Sequence, residues 1–600
     1  MRGKRQHVRE RGSVRKDAER VSKSVNVFCE NTGRVRKMRE RMRAGGPLHM
    51  ERAKGSFLWG AAVVSVGGLL AKVLGAFYRV PLMNALGGEG AGVYQMVYPL
   101  YCLLLTFSSA GVPAALSRLV AQAEAAGDAL RSRLLLRRSL ALFSLLGLLG
   151  SAAMFFAARP MSALQGAPAA VWAYRALAPS VLFVSVIACF RGWFQGRGRF
   201  FPTALSEVAE QLVKIVPGLY FSHLFRGDMP QAVAFSLLAV TVSEAAAALL
   251  LFALAAGERR VRAPLFRPAP PKAAYLLRVT LPVAVAAGVL PLSNMLDSVL
   301  IVRIVGGYAE NATALYGLYA GGAQALAGLP ASVCYGLAAA SVPAVAALRA
   351  AGKAREAESK VLFSLKCTLF IALPAAAFFL AFPRGVCALL YPAVTGAERE
   401  TLVGLLRVSA VGGALLAGAQ TLSACLTGLG RPRVAALAFT AAAGAKLLLE
   451  AGLLQLPQLS VFGAAYAAGA SYFIALFLNL VYSIKERGNR LRLLGHAGKF
   501  AAMAAIAAAA ALPLRGVHVL ACLAAGGAAY LLAAFAFRAF SAEEIPLLRR
   551  KGYGHHRRIG YKGGRSVGRR RLRAPFGRAR RAAHGRDRAR RRRARVGRAL

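Results

Sequence analysis

Two cations stand inside an apolar segment near the start of the chain. Lys72 and Arg79 lie in the run GGLLAKVLGAFYRVPL, which begins at Gly67, and they are seven residues apart. That spacing is two turns of an α-helix, so a helix would present both side chains on one face. A cation inside a membrane-spanning helix is costly and normally faces a wet cavity or a partner. The spacing therefore predicts a cationic face that lines a cavity and attracts an anionic group.

A second set of ionisable residues lies in the block ALSEVAEQLVKI. Glu207, Glu210 and Lys214 are spaced by three and then four residues, which again predicts one helix face. In one interpretation Lys214 joins the cationic cavity, and the two acids are polar cavity groups or take part in ion coupling. In the other, Glu210 and Lys214 form an ion pair one turn apart and neutralise each other.

A third set occupies two segments of the second half. Asn294 and Asp297 lie in one segment, and Lys446 and Glu450 lie four residues apart in another. Carboxylate and amide oxygens suit a hard coupling cation, so Asp297 is a candidate ligand. Alternatively, Asp297 pairs with Lys446 and leaves no vacant anionic site.

Other chemistry is not indicated by the sequence. Glu244 and Lys366 are expected to face a pore or a helix interface. The eight cysteines are scattered without a C-x-x-C pair, and no GxxxxGK[ST] loop occurs. We therefore expect no metal site, no cofactor and no built-in ATPase, and we leave open whether sodium, protons or the membrane potential drives the protein.

Composition indicates the class of protein that holds these residues. The 600 residues are 57% hydrophobic, and the mean hydropathy is +0.48, which is typical of a polytopic membrane protein. Fourteen apolar segments, from 57–78 to 517–538, are long enough to cross a bilayer. An even number puts both termini on one side, and the Lys-rich and Arg-rich loops on that side predict cytoplasmic termini.

The net charge of +53 is concentrated at the two ends. Residues 1–54 carry 17 basic and 6 acidic side chains, and residues 546–600 carry 22 and 1. Both ends read as disordered basic tails that contact anionic lipid or are simply solvated. Nucleic-acid binding by the tails, which would be steeply salt-dependent, is not expected. Met50 is an alternative start, which would make the N-terminal arm an artefact.

A weak internal repeat divides the apolar part of the sequence into two halves. Gly196-x-Gly198-Arg199 is followed by Lys214, and Gly428-x-Gly430-Arg431 is followed at the same distance by Lys446. We predict an arm (1–54), an N-lobe of six helices (55–256), a linker (257–272), a C-lobe of six helices (273–484), two further helices (485–540) and a tail (541–600). Two facing bundles suit alternating access. The predicted fold class is an all-α integral membrane protein with about fourteen helices.

Three blocks carry a family resemblance, KVLGAFYRVPL, YQMVYPLY and RGWFQGRGRFFPTALSEVAEQLVKI. They resemble the polysaccharide-exporter branch of the MOP superfamily, in particular the stage V sporulation protein B group, which is related to the MurJ lipid II flippases. The resemblance spans roughly residues 55–540. It implies two lobes related by a two-fold axis along the membrane normal, followed by helices 13 and 14.

The resemblance also implies roles for single residues. Lys72 and Arg79 fall where MurJ-like proteins have two cavity arginines that are thought to engage a pyrophosphate. Gln324 is the nearest polar group to the place of a third arginine, which is missing. Lys446 stands where a sodium-binding pattern would have a neutral or acidic ligand, and this departure counts against sodium coupling.

These observations predict a monomeric flippase, not an enzyme, in a bacterial cytoplasmic membrane. Its substrate would be a sugar intermediate on undecaprenyl pyrophosphate, lipid II or a related precursor, held by Lys72, Arg79 and Lys214. A drug or cation antiporter of the same superfamily is the main alternative, although a cationic cleft argues against it. A membrane glycosyltransferase or polymerase would need acidic residues on a large outer loop, and no such loop is evident.

Overall fold

Helices make up nearly all of the computed structural model, which describes residues 47–109, 111–258, 273–484 and 487–540. The predicted arm up to residue 46, most of the predicted linker and the tail from residue 541 lie outside these ranges. The α-helices are α1 (Pro47–Ser109), α2 (Val112–Ala125), α3 (Ala129–Leu164), α4 (Ala170–Leu177), α5 (Ser180–Gly196), α6 (Phe201–Leu224), α7 (Met229–Ala256), α8 (Ala273–Val305), α9 (Ala312–Tyr316), α10 (Gln324–Ala327), α11 (Leu329–Ala350), α12 (Ala354–Ala381), α13 (Pro383–Leu390), α14 (Gly396–Gly428), α15 (Pro432–Leu453), α16 (Phe462–Ser483), α17 (Arg487–Ala511) and α18 (Val519–Ala536). A π-helix (Gly317–Ala323) joins α9 to α10, and a 3₁₀-helix (Leu512–Gly516) precedes α18.

Helix α1 carries the first two predicted segments in one run of 63 residues. It is broken at Gly87, where φ is 69° and ψ is −175°. Glycine adopts this left-handed φ without the steric cost that a Cβ brings. The first two predicted segments are therefore separated by a break at a single glycine.

Glycines let α6 approach α1 closely. A Cβ added to Gly67 would lie 2.6 Å from the Cβ of Ala204, and one added to Gly75 would lie 3.2 Å from Oε1 of Gln211. Further along, Tyr78 occupies the space beside Gly218. Because these contacts follow the helices for several turns, they fix the face that α6 turns toward the cations of α1.

Two sets of helices surround the site. The N-terminal helix group is α1–α7, in which α6 packs against both α1 and α7. The C-terminal helix group is α8–α16, in which α14 packs against α11, α12 and α16. Helices α17 and α18 pack against each other, and α17 packs against α12. The chain is thus a multi-pass helical membrane protein.

Eleven helical stretches of the described residues are long and apolar enough to cross a membrane, so the predicted count of fourteen is not confirmed. The difference has three local causes. The first two predicted segments share α1, and the predicted segment 204–224 is the charged helix α6. The predicted segment 313–340 is divided among three short elements and the first half of α11. A helix that holds three ionisable residues, or that is interrupted by breaks, is less continuously apolar than the other membrane-spanning helices.

Candidate functional site

A cavity of about 400 Å³ lies between α1, α6, α10 and α11. Lys72 and Arg79 line it from α1, Lys214 from α6 and Gln324 from α10. The structure therefore brings together the three predicted cations, which come from two helices. No Asp or Glu is among the described residues that line the cavity, so its charge is purely cationic.

Lys214 is held toward the cavity by its neighbours on two helices. Its Nζ donates a hydrogen bond of 2.7 Å to Oε1 of Gln211. The same Nζ lies 5.3 Å from the centre of the Tyr78 ring, within the range of a cation–π interaction. The close packing of Tyr78 beside Gly218 thus places an aromatic face under this ammonium group.

Arg79 is exposed in the cavity. No hydrogen bond or ion pair joins it to any part of the chain that the structure describes. A guanidinium has five N–H donors in a planar fork that matches a phosphate or carboxylate. Arg79 therefore has its donors available for an anionic ligand.

The two acids on α6 do not line the cavity. Glu210 forms an ion pair of 3.2 Å with Arg191, whose Nε also donates to Oγ of Ser206. Glu207 lies within electrostatic reach of Lys72. The alternative in which Glu210 and Lys214 form a pair is therefore wrong, because α5 supplies a different cation for Glu210.

The predicted coupling residues of the second half form a separate buried cluster. Lys446 of α15 pairs with Asp297 of α8, as one of the two interpretations predicted. Glu450 is fully buried, and neither of its oxygens has a hydrogen-bond partner among the described residues. Although Lys446 and Glu450 lie one turn apart on α15, Lys446 forms its ion pair with Asp297 of another helix. Asn294 is exposed and does not join the cluster.

Gln324 connects the cavity with the C-terminal helix group. Its Nε2 donates a hydrogen bond of 3.1 Å to the hydroxyl of Tyr319, which in turn donates to the carbonyl of Ala464. The C-terminal helix group thus presents a neutral amide to the cavity, where the N-terminal helix group presents three cations.

Sequence reasoning missed the aromatic wall of the cavity and the acid behind it. Tyr94 and Tyr98 of α1 line the cavity, and their hydroxyls are 3.2 Å apart. One turn further, the hydroxyl of Tyr101 donates a hydrogen bond of 2.5 Å to Glu244, which is 3% exposed and does not line the cavity. The signal in the sequence was the spacing of these tyrosines, which puts them on neighbouring turns.

Apolar space adjoins the cationic cavity. A pocket of about 520 Å³ shares six lining residues with it, namely Lys72, Ala76, Val80, Leu326, Leu329 and Ser332. A third space of about 660 Å³, between α11, α12, α13, α17 and α18, shares Leu326 and Leu329 with both. The three spaces therefore share lining residues, and together they form a cavity system with one polar space and two apolar ones.

The two helix groups meet closely beyond the cavity, near the break at Gly87. A Cβ on Gly317 would collide with the backbone of Gly88. Nδ2 of Asn84 donates a hydrogen bond of 2.7 Å to the carbonyl of Leu390. These contacts join the groups at the end of the cavity that carries the break.

Comparison with known proteins gives three kinds of match. The family model described as "Polysaccharide biosynthesis protein" matches residues 57–349. Stage V sporulation protein B of Bacillus subtilis (strain 168) is 28% identical over 49% of this chain and 58% of its own length. The lipid II flippase MurJ of the same organism is 29% identical over 31% of this chain and 36% of its own length. The chain thus aligns with little more than half of the first of these relatives.

Two solved structures show the same fold. A lipid II flippase MurJ in an inward closed conformation has a TM-score of 0.60 and 16% identity, over 81% of this chain and all of the other. An inward-facing multidrug resistance transporter of the MATE family has a TM-score of 0.58 and 19% identity, over 73% of this chain and 99% of the other. The relatives that are named for an activity are flippases and transporters, which agrees with the expectation of a transporter. The predicted resemblance is likewise confirmed: this chain resembles the polysaccharide biosynthesis family in sequence and has the fold of the MOP superfamily.

Proposed function

We propose that the protein moves a sugar intermediate, linked to a polyprenyl pyrophosphate, across a bacterial cytoplasmic membrane. One observation carries this proposal. The cavity is lined by three cations without a carboxylate, and it shares walls with apolar space. A ligand that fits has an anionic head and an apolar tail.

The head would bind to the cationic wall of α1 and α6. Arg79 has a full set of donors to offer a phosphate, and the fork geometry favours two parallel hydrogen bonds. Lys72 and Lys214 add point charges on either side, without the bidentate geometry. A cation exporter would instead need acidic groups in this wall, so the drug or cation antiporter is the weaker alternative.

The tail would lie in the apolar pocket and in the neighbouring apolar space. Phe77 and Val73 of α1 and Val333 of α11 line this pocket. A polyprenyl chain placed here leaves the cavity sideways and never crosses the polar wall. The cavity therefore suits a lipid-linked substrate better than a free anionic sugar, which has no apolar part that could occupy the pocket.

Translocation would use alternating access between the helix groups. The contacts at Gly317, Asn84 and Leu390 belong to the end that the loop charges predict as extracytoplasmic. At the same end, Arg303 donates to the carbonyls of Ala163 and Leu164. Loading would take place from the cytoplasmic side, and separation of these contacts would release the head outward. The path lies within one chain, so one copy is sufficient.

The first test is complementation of a bacterial strain depleted of its essential lipid II flippase. We expect the full chain to restore growth and the paired change Lys72→Ala/Arg79→Ala to abolish rescue at equal membrane abundance. Arg407→Ala is the matched control, because Arg407 is an exposed cation on α14 that does not line the cavity. Equal rescue by the paired variant would refute the cationic wall as the binding site.

A second measurement separates the substrate classes. Purified protein in nanodiscs should bind a polyprenyl pyrophosphate more tightly than inorganic pyrophosphate, because the lipid adds the apolar pocket. Saturable binding of organic cations without any binding of the lipid would favour the antiporter. Binding of both pyrophosphates with equal affinity would remove the role given to the apolar pocket.

A further inference from the structure

One acid of the N-terminal helix group is buried behind the cavity. Glu244 of α7 is 3% exposed, and its Oε1 accepts the hydrogen bond from the hydroxyl of Tyr101 on α1. Its Oε2 is buried and has no hydrogen-bond partner among the described residues. The carboxyl group therefore has one satisfied and one unsatisfied oxygen.

Two hydroxyl groups lie near the carboxyl group of Glu244. Thr241 donates a hydrogen bond of 2.7 Å to the carbonyl of Ala176. The hydroxyl of Ser180 lies 2.9 Å from that of Thr241, and it also interacts with the carboxyl group of Glu244. Because Ser180 has one hydrogen for two acceptors, Oε2 of Glu244 is left without a full hydrogen bond.

Glu244 also has no ion-pair partner in the described part of the chain. The titratable or charged groups that face it are Tyr101 and Cys102 from α1 and, at longer range, Glu210 and Lys214 from α6. Desolvation without a counter-ion favours the neutral carboxyl group, whereas the Tyr101 bond and the charge of Lys214 favour the carboxylate. Because these influences oppose each other, a proton can be gained and lost.

The acid lies close to the cavity. The rings of Tyr98, which lines the cavity, and Tyr101 meet edge to face with centres 5.8 Å apart. The cavity cation Lys214 interacts electrostatically with Glu244. An anion bound to Lys214 would cancel the positive potential that favours the carboxylate.

We propose that Glu244 is a proton-binding site whose occupancy is linked to anion occupancy of the cavity. The linkage rests on the proposed function, since it needs an anionic head on Lys214, whereas the proton site itself does not. Binding of the anion strengthens binding of the proton, and by reciprocity the proton strengthens binding of the anion.

Infrared spectroscopy of the full chain in lipid tests the proton site without any ligand. We expect a carboxylic acid C=O band that loses intensity as the pH is raised across the range in which the protein stays folded, and that is missing from Glu244→Gln. Glu450→Gln is the matched control, because it removes a buried acid of the C-terminal helix group and should leave this band in place. A Glu244 band that does not change over this range, or the absence of one throughout, would overturn the proposal.

Calorimetry tests the linkage, with inorganic pyrophosphate as the probe and two buffers of different ionisation enthalpy. The wild type should take up more protons per anion than Glu244→Gln, by up to about one, while Glu244→Gln still binds the anion. Equal proton uptake by both proteins would overturn the linkage. If pyrophosphate does not bind the wild type at all, the proposed function fails, and the infrared experiment still decides the proton site.

Discussion

In the C-terminal helix group Asp297 is paired with Lys446, whereas in the N-terminal helix group Glu244 accepts a hydrogen bond from Tyr101 and has no ion-pair partner among the described residues. The groups also differ toward the cavity, where Lys72, Arg79 and Lys214 come from α1 and α6 and the C-terminal helix group contributes a neutral amide. The resident ammonium of Lys446 takes the place that a coupling cation at Asp297 would need. We infer that charge responds to ligands in the N-terminal helix group, whereas the Asp297–Lys446 pair of the C-terminal helix group is fixed.

The largest expected effect comes from breaking the fixed pair. Lys446→Met leaves Asp297 buried without its cation, which should destabilise the protein by about 3–5 kcal/mol in thermal or chemical unfolding in detergent. Adding Asp297→Leu removes the stranded acid and should restore most of this loss. If Lys446→Met alone were as stable as the wild type, this would contradict the idea that the two residues form a structural pair.

The next effect concerns the cationic wall. Arg79→Ala should weaken binding of a polyprenyl pyrophosphate by about 10- to 100-fold, because hydrogen bonds to charged groups contribute about 1.5–3 kcal/mol. Equilibrium binding in nanodiscs measures this. Arg79→Lys keeps the charge and loses the planar guanidinium, so its affinity should lie between that of the wild type and that of Arg79→Ala. Wild-type affinity in Arg79→Ala would show that Lys72 and Lys214 are sufficient.

A smaller effect is expected on the N-terminal side of the comparison. Tyr101→Phe removes one buried hydrogen bond and should lower the free energy of unfolding by about 1 kcal/mol. Urea unfolding of the purified protein measures it, and Tyr482→Phe, at an exposed tyrosine on α16, is the control. A loss as large as that of Lys446→Met would mean that Glu244 is a structural anchor.

The smallest effect should come from the neutral side of the cavity. Gln324→Ala removes an amide that already donates to Tyr319, so pyrophosphate affinity should change by no more than about threefold. A loss as large as that of Arg79→Ala would show that both helix groups hold the head, and the comparison between them would fail.

The sequence predicted those parts of the site that depend only on the spacing of residues within one helix. Lys72 and Arg79 share a face because two turns separate them, and this holds for any straight helix. Lys214 joins them only because glycines of α1 and α6 allow close packing, which no spacing within α6 reveals. The sequence does not reveal which cation forms the ion pair with Glu210. Lys214 lies one turn away on the same helix, whereas Arg191, which forms the pair, lies on another helix.

Long-range contacts explain the remaining gaps. The pairing of Asp297 with Lys446 was one of two interpretations, and only the packing of α8 against α15 decides between them. The burial of Glu244 depends on helices from both ends of the N-terminal helix group. The division of the predicted segment 313–340 into short elements depends on glycines, such as Gly317, that contact the backbone of α1.

Leu326 and Leu329 line the cationic cavity and both apolar spaces. On the proposed function, this single turn touches the head and the tail of the substrate together. A mutation here that adapts the protein to a different lipid carrier also alters the room for the sugar. Divergence of this protein toward a new carrier and toward a new glycan therefore cannot proceed independently at these two positions.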